Sequence, residues 1–434
     1  MLWIKNGRVI NPATGMDECA NILTIDGKVA KITSKTWNEI QNELETCKKE
    51  EIQEVDASGC IVAPGLVDVH VHFRDPGFTY KEDIETGAKA ALRGGFTSVV
   101  LMANTKPAVD NEETLAYILE KGAKTDLHVY TCATVTKGLS GKEIVDMDTL
   151  LEKGAVGFTD DGIPIMDEKL LERAMEKAAT LGVPVSLHEE DAALITNNGV
   201  NRGKASKHYE IGGSPREAEI SLIKRDLEVA LKTGAILNVQ HISSKEGVEL
   251  VRQAKKKSTI GNIHAEATPH HFSLNEEAVI EHGTLAKMNP PLREEADRLA
   301  IIEGLKDGTI DIIATDHAPH SQEEKEKSIT EAPSGIIGLE TALSLGVTNL
   351  VRTQNLTMGK VLAAMTCNPA KMYGLDAGSL EEGKAADLVI FSADEEWTVG
   401  NYASKSKNSP FTGMKLHGVV KYTIVDGEIV YKNI

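Results

Sequence analysis

Cysteine is scarce in this chain. The five present, Cys19, Cys47, Cys60, Cys132 and Cys367, are scattered, odd in number and form no CxxC pair. That argues against a disulfide framework and against a thiolate metal site. Long apolar runs are missing too: none approaches the ~18 residues that suggest a membrane-spanning helix, and residues 1–7 lack the apolar core of a secretory signal. The sequence therefore reads as a soluble, cytoplasmic protein without a membrane partner. Positive charge is in deficit, with 47 Lys and Arg against 65 Asp and Glu, a net charge of −18. So acidic a protein repels phosphate backbones, which argues against nucleic acid as a partner. If its substrate is an anion, the site must be locally positive, and a bound metal ion would make it so. A Walker loop, G-x-G-x-x-G, H-E-x-x-H and the G-x-S-x-G elbow are all absent. Nucleophilic Ser or Cys catalysis therefore has no support.

What is present begins with organisation. At 434 residues the chain can hold one α/β barrel of eight units, which commonly exceeds ~250 residues, with a small companion domain. Asn6-Gly7 and Asp26-Gly27 each sit between apolar alternating runs, so each predicts a hairpin. Residues 37–54 are charged and lack an apolar stripe, which predicts a solvated loop or surface helix. Near the other end, 386–391 reads as a strand and 422–431 as a hairpin. An isolated hairpin is marginal in water. The two ends, 1–62 and 377–434, are therefore expected to build one small β-sandwich domain together. Between them, over 63–376, strands alternate with helices. The first strand comes from the apolar run 60–67, and the others from 96–102, 127–131, 155–159, 183–187, 236–240, 263–268 and 310–315. A helix over 167–181 stops at Gly182, Ser214-Pro215 opens another with Ser as N-cap, and Ser243-Ser244 opens a third. Further helices are expected over 340–352 and 357–365. Eight such units imply a closed (β/α)8, TIM-like barrel.

In such a barrel the chemistry sits at the C-terminal ends of the strands. His70 and His72 are two apart, share a face and end strand one. Strand four runs into Asp160-Asp161-Gly162, strand five into His188, strand six into His241 and strand eight into Asp316-His317. These nitrogen and carboxylate donors suit Zn²⁺ or a similar ion. Four His and two Asp are too many for one tetrahedral ion with an open position. They suit two ions about 3.5–4 Å apart that share a bridge. A carboxylate can bridge where a neutral imidazole cannot, so Asp160 or Asp161 is the natural bridge. Only one of them can face inward. Arg74 is the best carboxylate clamp, because guanidinium binds carboxylates bidentately; its competing role is a surface salt bridge to Asp75. Asn104 follows strand two, Asn289 lies in a later loop, and His320 stands four residues beyond Asp316. His270 and His271 exceed the ligand count needed and are expected on the substrate side or as structural groups.

The stretches DVHVHFRDPG (68–77), MANTKP (102–107), FTDDG (158–162), KMNPPLR (287–293) and ATDHAPH (314–320) resemble those of dihydroorotases of the amidohydrolase superfamily, over nearly the whole length. The resemblance is to the type that bridges its metals with aspartate rather than a carboxylated lysine. It implies a zinc-dependent, reversible opening of (S)-dihydroorotate to N-carbamoyl-L-aspartate in pyrimidine synthesis. It further implies Asp161 as the bridge and one or two zinc ions per chain. His70, His72, Asp161 and Asp316 would hold one ion, and Asp161, His188 and His241 the other. Asp316 would be the acid–base group. His72, Arg74, Asn104, Asn289, His320 and the segment Ser334-Gly335 would contact a small anionic substrate. A homodimer and a complex with aspartate transcarbamoylase are the expected assemblies. Two rival readings stand beside this one. An allantoinase or hydantoinase activity is opposed by Asp161 and Arg74. A non-catalytic scaffold paired with the transcarbamoylase is opposed by the full ligand set.

Overall fold

The computed structural model describes residues 1–43 and 52–433. Eight strands from both ends of the chain form one sheet. The junction is Ile61–Pro64, which pairs in parallel with Leu2–Asn11 and antiparallel with Leu388–Thr398. Ile4, Val9, Ile22, Val62, Leu388, Ile390 and Ile424 are all buried in its core, so neither end could bury its apolar face alone. The turn at Asp26-Gly27 is a hairpin, as expected, and so is the one at Asp426-Gly427. Asn6-Gly7 is not. Leu2–Asn11 runs straight through it with a bulge, Asn6 at φ 63°. A Cβ on Gly7 would lie 2.5 Å from Val62, so the glycine serves close packing instead of a reversal. Within 37–54, Trp37–Glu43 is a helix whose Trp37 and Ile40 pack with Trp3, so it is not simply solvated. Residues 44–51 lie outside the described residues, and Gln53–Asp56 pairs in parallel with the first strand.

The expected first barrel strand divides in two. Ile61–Pro64 belongs to the small sheet, two residues past the expected boundary at 62, and Leu66–Val71 to the barrel. Gly65 joins them because a Cβ there would lie 2.1 Å from Thr97 Oγ1. Leu66–Val71, Phe96–Leu101 and His128–Thr131 pair in parallel, as do Pro184–Leu187, Ile236–Val239, Ile263–Ala267 and Ile312–Ile313. The fourth position is narrower than expected. Only Phe158 bridges, to Ala133 on one side and Val185 on the other. The ring closes through Val71 and His317. Val67, Val69, Val100, Met102, Ile312, Ala314 and Tyr373 pack into one apolar cluster of barrel-strand and following residues.

The helices follow local chemistry. Asp167 caps Glu168–Leu181, which stops at Gly182 in the left-handed region, and Ser244 caps Lys245–Lys257. Ser214 is a correction. The helix Arg216–Thr233 begins after Pro215, which occupies the cap position, and the Ser214 hydroxyl instead donates to Glu190 Oε1 at 3.1 Å. The helix Ile84–Arg93 braces the site directly. Gly87 lets it sit on Phe73, where a Cβ would fall 2.3 Å from the ring. Phe73 is fully buried and meets His317 edge-on at 6.3 Å. Gly87→Ala is therefore expected to cost about 1–3 kcal/mol of overpacking. The check is the thermal unfolding midpoint, and an unchanged midpoint would show that Phe73 gives way freely.

Candidate active site

The six expected ligands come from five strand ends and converge at the C-terminal mouth of the barrel. Asp161 Oδ1 lies 3.6 Å from His70 Nε2 and 3.8 Å from His188 Nδ1, and its Oδ2 lies 3.5 Å from His72 Nε2. Asp316 Oδ1 lies 3.5 Å from His70 Nε2 and 3.1 Å from His72 Nε2. His241 Nε2 and His188 Nδ1 face each other at 3.0 Å. Among these six residues, two sets bring all their donor atoms within 4.8 Å: His70, His72 and Asp316, and His70, Asp161 and His241. All six residues are buried. Asp160 points elsewhere: its carboxylate accepts from the backbone N–H of Val135 and Thr136 and from the Thr136 hydroxyl. Of the adjacent pair, only Asp161 faces the histidines.

The charges are arranged to hold a cation. Burial opposes charge on His70, but Glu266, Asp316 and Asp161 outweigh it and push its pKa up to about 10. Burial also opposes the charge on Asp161, yet His70, His72 and His188 hold its carboxyl below the usual range. His188 is raised, burial being outweighed by Glu190 and the site carboxylates. His241 is driven the other way by burial and by the neighbouring His188 and His70, which leaves it a neutral donor. The backbone is strained at the same place. Arg74, His241 and Asp316 sit at φ 59°, 30° and 47°, inside the left-handed region that favours glycine. Each such residue costs on the order of 1–3 kcal/mol and persists only where surrounding structure enforces it.

Around this cluster lies a cleft of about 210 Å³ lined by His72, Arg74, Asn104, Asp161, His188, His241, Asn289, Asp316, His320, Ser334 and Gly335, among others. Asn104 joins two of these side chains, with its Oδ1 2.9 Å from His72 Nδ1 and its Nδ2 donating to Asp161 Oδ2 at 2.8 Å. Asn289 Nδ2 is 3.4 Å from His188 Nε2. Arg74 does not pair with Asp75, which binds Lys121 and Tyr117 instead. Its Nε donates to the Pro319 carbonyl at 3.3 Å, and among the described residues no carboxylate lies in ion-pair range of it. Both nitrogens of His320 are engaged: Nε2 with the Ser334 carbonyl at 2.8 Å and Nδ1 facing the Lys81 ammonium at 3.3 Å. Burial, Arg74, Lys81 and Lys325 together keep that ring neutral. His271 is held by Thr268 and by the Pro290 carbonyl, a structural arrangement, and His270 stacks beside it.

The amidohydrolase family model matches residues 61–430. A dihydroorotase of Clostridioides difficile (strain 630) is 54% identical over 431 residues, covering 99% of this chain and 100% of that protein. The chain belongs to the amidohydrolase family and, within it, to the dihydroorotases. A dihydroorotase of Clostridium acetobutylicum is 51% identical over 435 residues, the full length of both proteins. Among solved structures, the L-hydantoinase (dihydropyrimidinase) from Arthrobacter aurescens aligns with a TM-score of 0.86 at 27% identity, covering 99% of this chain and 96% of that one.

Amidohydrolases depend on metal, and the residues here fit one. His70 Nε2 is fully buried, has no hydrogen-bond partner and points between two carboxylates. Nitrogen and oxygen donors without sulfur are the set that zinc and similar divalent ions take at catalytic sites. Sequence reasoning missed Glu266, whose Oε2 is 3.0 Å from His70 Nδ1. A signal existed: it is the acidic residue in the buried strand Ile263–Ala267, and unpaired carboxylates are almost never fully buried.

Proposed function

We propose that the protein is a dihydroorotase that opens the ring of (S)-dihydroorotate to N-carbamoyl-L-aspartate and closes it again, as a soluble cytoplasmic enzyme of pyrimidine synthesis. The observation that carries this reading is a ring of four imidazoles and two carboxylates beside an Arg74 guanidinium with which, among the described residues, no carboxylate forms an ion pair. The catalytic unit is the barrel, from about 66 to 376, with 1–64 and 377–434 as the small domain. Its acting form is the chain alone or a homodimer, with aspartate transcarbamoylase as the candidate partner.

His70, His72, Asp161 and Asp316 would hold one zinc ion, and Asp161, His188 and His241 a second. When bound, such ions supply Lewis acidity, acidifying water and polarising a carbonyl. The chain's own residues do the rest. Arg74 takes the substrate carboxylate through its planar fork. Asn104 keeps His72 and Asp161 in register with each other. Asn289 and the Ser334-Gly335 backbone border the ring. His320, neutral and fixed at both nitrogens, walls the anion end without competing for the carboxylate. Asp316 accepts the proton of the attacking water and returns it to the leaving ring nitrogen, and it reverses those roles in ring closure.

Purified protein depleted of metal is expected to be inactive on dihydroorotate and to recover with added zinc. Zinc-loaded protein without that activity, alone and with a transcarbamoylase, would overturn the reading. Arg74→Lys keeps the charge but loses the fork. It is expected to lower kcat/KM at least tenfold with zinc content unchanged. Unaltered kinetics in that variant would remove Arg74 from substrate binding.

A further inference from the structure

We propose that Glu266 is the positioning residue for His70: it fixes the imidazole with Nδ1 protonated, aims Nε2 at the metal cluster and thereby sets the affinity for zinc. This rests on the metal-site reading above.

Glu266 lies 196 residues from His70 in sequence, yet its Oε2 is 3.0 Å from His70 Nδ1. Both side chains are wholly buried. A carboxylate without its proton can only accept. So Nδ1 must carry a hydrogen, and Nε2 is the nitrogen that can give its lone pair to a metal ion. That nitrogen is the one with no hydrogen-bond partner and with Asp161 and Asp316 on either side. The carboxylate itself cannot swing. Its Oε1 accepts from Asn238 Nδ2 at 2.5 Å, and Oε2 also accepts from the His241 backbone N–H at 3.4 Å. The Asn238 amide reaches Ser186 Oγ at 3.1 Å, and Ser186 in turn meets the Tyr373 hydroxyl at 2.7 Å. A hydrogen-bonded chain of buried side chains thus runs from Tyr373, packed among the barrel strands, to a ligand at the mouth. Among the described residues, His70 is the only titratable cation in ion-pair contact with Glu266. A merely structural carboxylate would need no imidazole. A carboxylate behind a ligand histidine fixes its tautomer and raises its basicity.

The test is zinc affinity, not turnover. Metal-free wild type, Glu266→Gln and Glu266→Ala are titrated with zinc against a chromophoric chelator. Glutamine keeps an acceptor of the same shape but not the charge, and alanine keeps neither. The expected order is wild type, then glutamine, then alanine, with losses of about 10-fold to 100-fold. In the zinc-loaded protein the His70 Nδ1–H should give a downfield proton resonance that shifts in Glu266→Gln and disappears in Glu266→Ala. Should the alanine variant not fold, the isosteric glutamine variant carries the test. Variants that match a zinc-binding wild type in affinity and resonance would overturn the proposal alone. A wild type that takes up no zinc would overturn the metal-site reading and this proposal with it.

Discussion

Asp316→Asn is expected to lose ring opening and ring closure together, by about 10²–10⁴-fold, the usual cost of removing an acid–base group. Asp316 Oδ1 stands 3.1 Å from His72 Nε2 and 3.5 Å from His70 Nε2, on the rim of the cleft where water and ring amide would meet. The fold holds its backbone in the left-handed region, at φ 47°. By microscopic reversibility, the group that carries the proton from water to nitrogen in opening carries it from nitrogen to oxygen in closing. Both directions therefore run through the same carboxylate. Asparagine keeps the shape but cannot carry the proton. The measurement is kcat/KM in both directions, in wild type and variant, with zinc content determined alongside. A zinc-replete variant that keeps either direction would route the proton through another group.

Removing His70 should have a still broader effect. His70 Nε2 is the donor atom common to both compact ligand sets, and its ring separates Glu266 from Asp161 and Asp316. His70→Ala is expected to release at least one zinc ion per chain and to bring activity down to the assay background. His72→Ala should do the same, since its Nε2 faces both Asp161 and Asp316. His70→Ala carries an added cost that His72→Ala does not: Glu266 is left buried without its imidazole. Stranding a buried hydrogen-bonding group costs about 1–3 kcal/mol, more for a charged one, so its unfolding midpoint should fall below that of His72→Ala. Elemental analysis and thermal unfolding together check both statements. Full zinc content in both variants would refute the ligand assignment.

The two variants also mark where the sequence was sufficient. The HxH pair, Asp161, His188, His241 and Asp316 could each be placed at a strand end from local pattern alone. Strand periodicity and the alternation of strands with helices are properties of a few neighbouring residues. The small domain was legible for the same reason, because each end of the chain carried strands it could not bury by itself. The Gly182 stop was read correctly, since it is settled within one helical turn.

Tertiary structure decided what depended on distant neighbours. Asp160 and Asp161 are chemically identical and adjacent. Only the Val135–Thr136 backbone, which claims Asp160, turns Asp161 to the histidines. Arg74 is freed for an anion because Lys121 and Tyr117, on another helix, take Asp75. Asn6-Gly7 had the composition of a hairpin, but Val62 packs against it and the strand continues as a bulge. Ser214 had the place of a cap, but buried Glu190 takes its hydroxyl. Glu266 carried no motif; its meaning comes from 196 residues away, at His70. Local rules fix which residues reach the mouth of the barrel. Which of them face one another follows from how sequence-distant strands and loops close around it, and a buried carboxylate or hydroxyl must take whatever partner that closure brings.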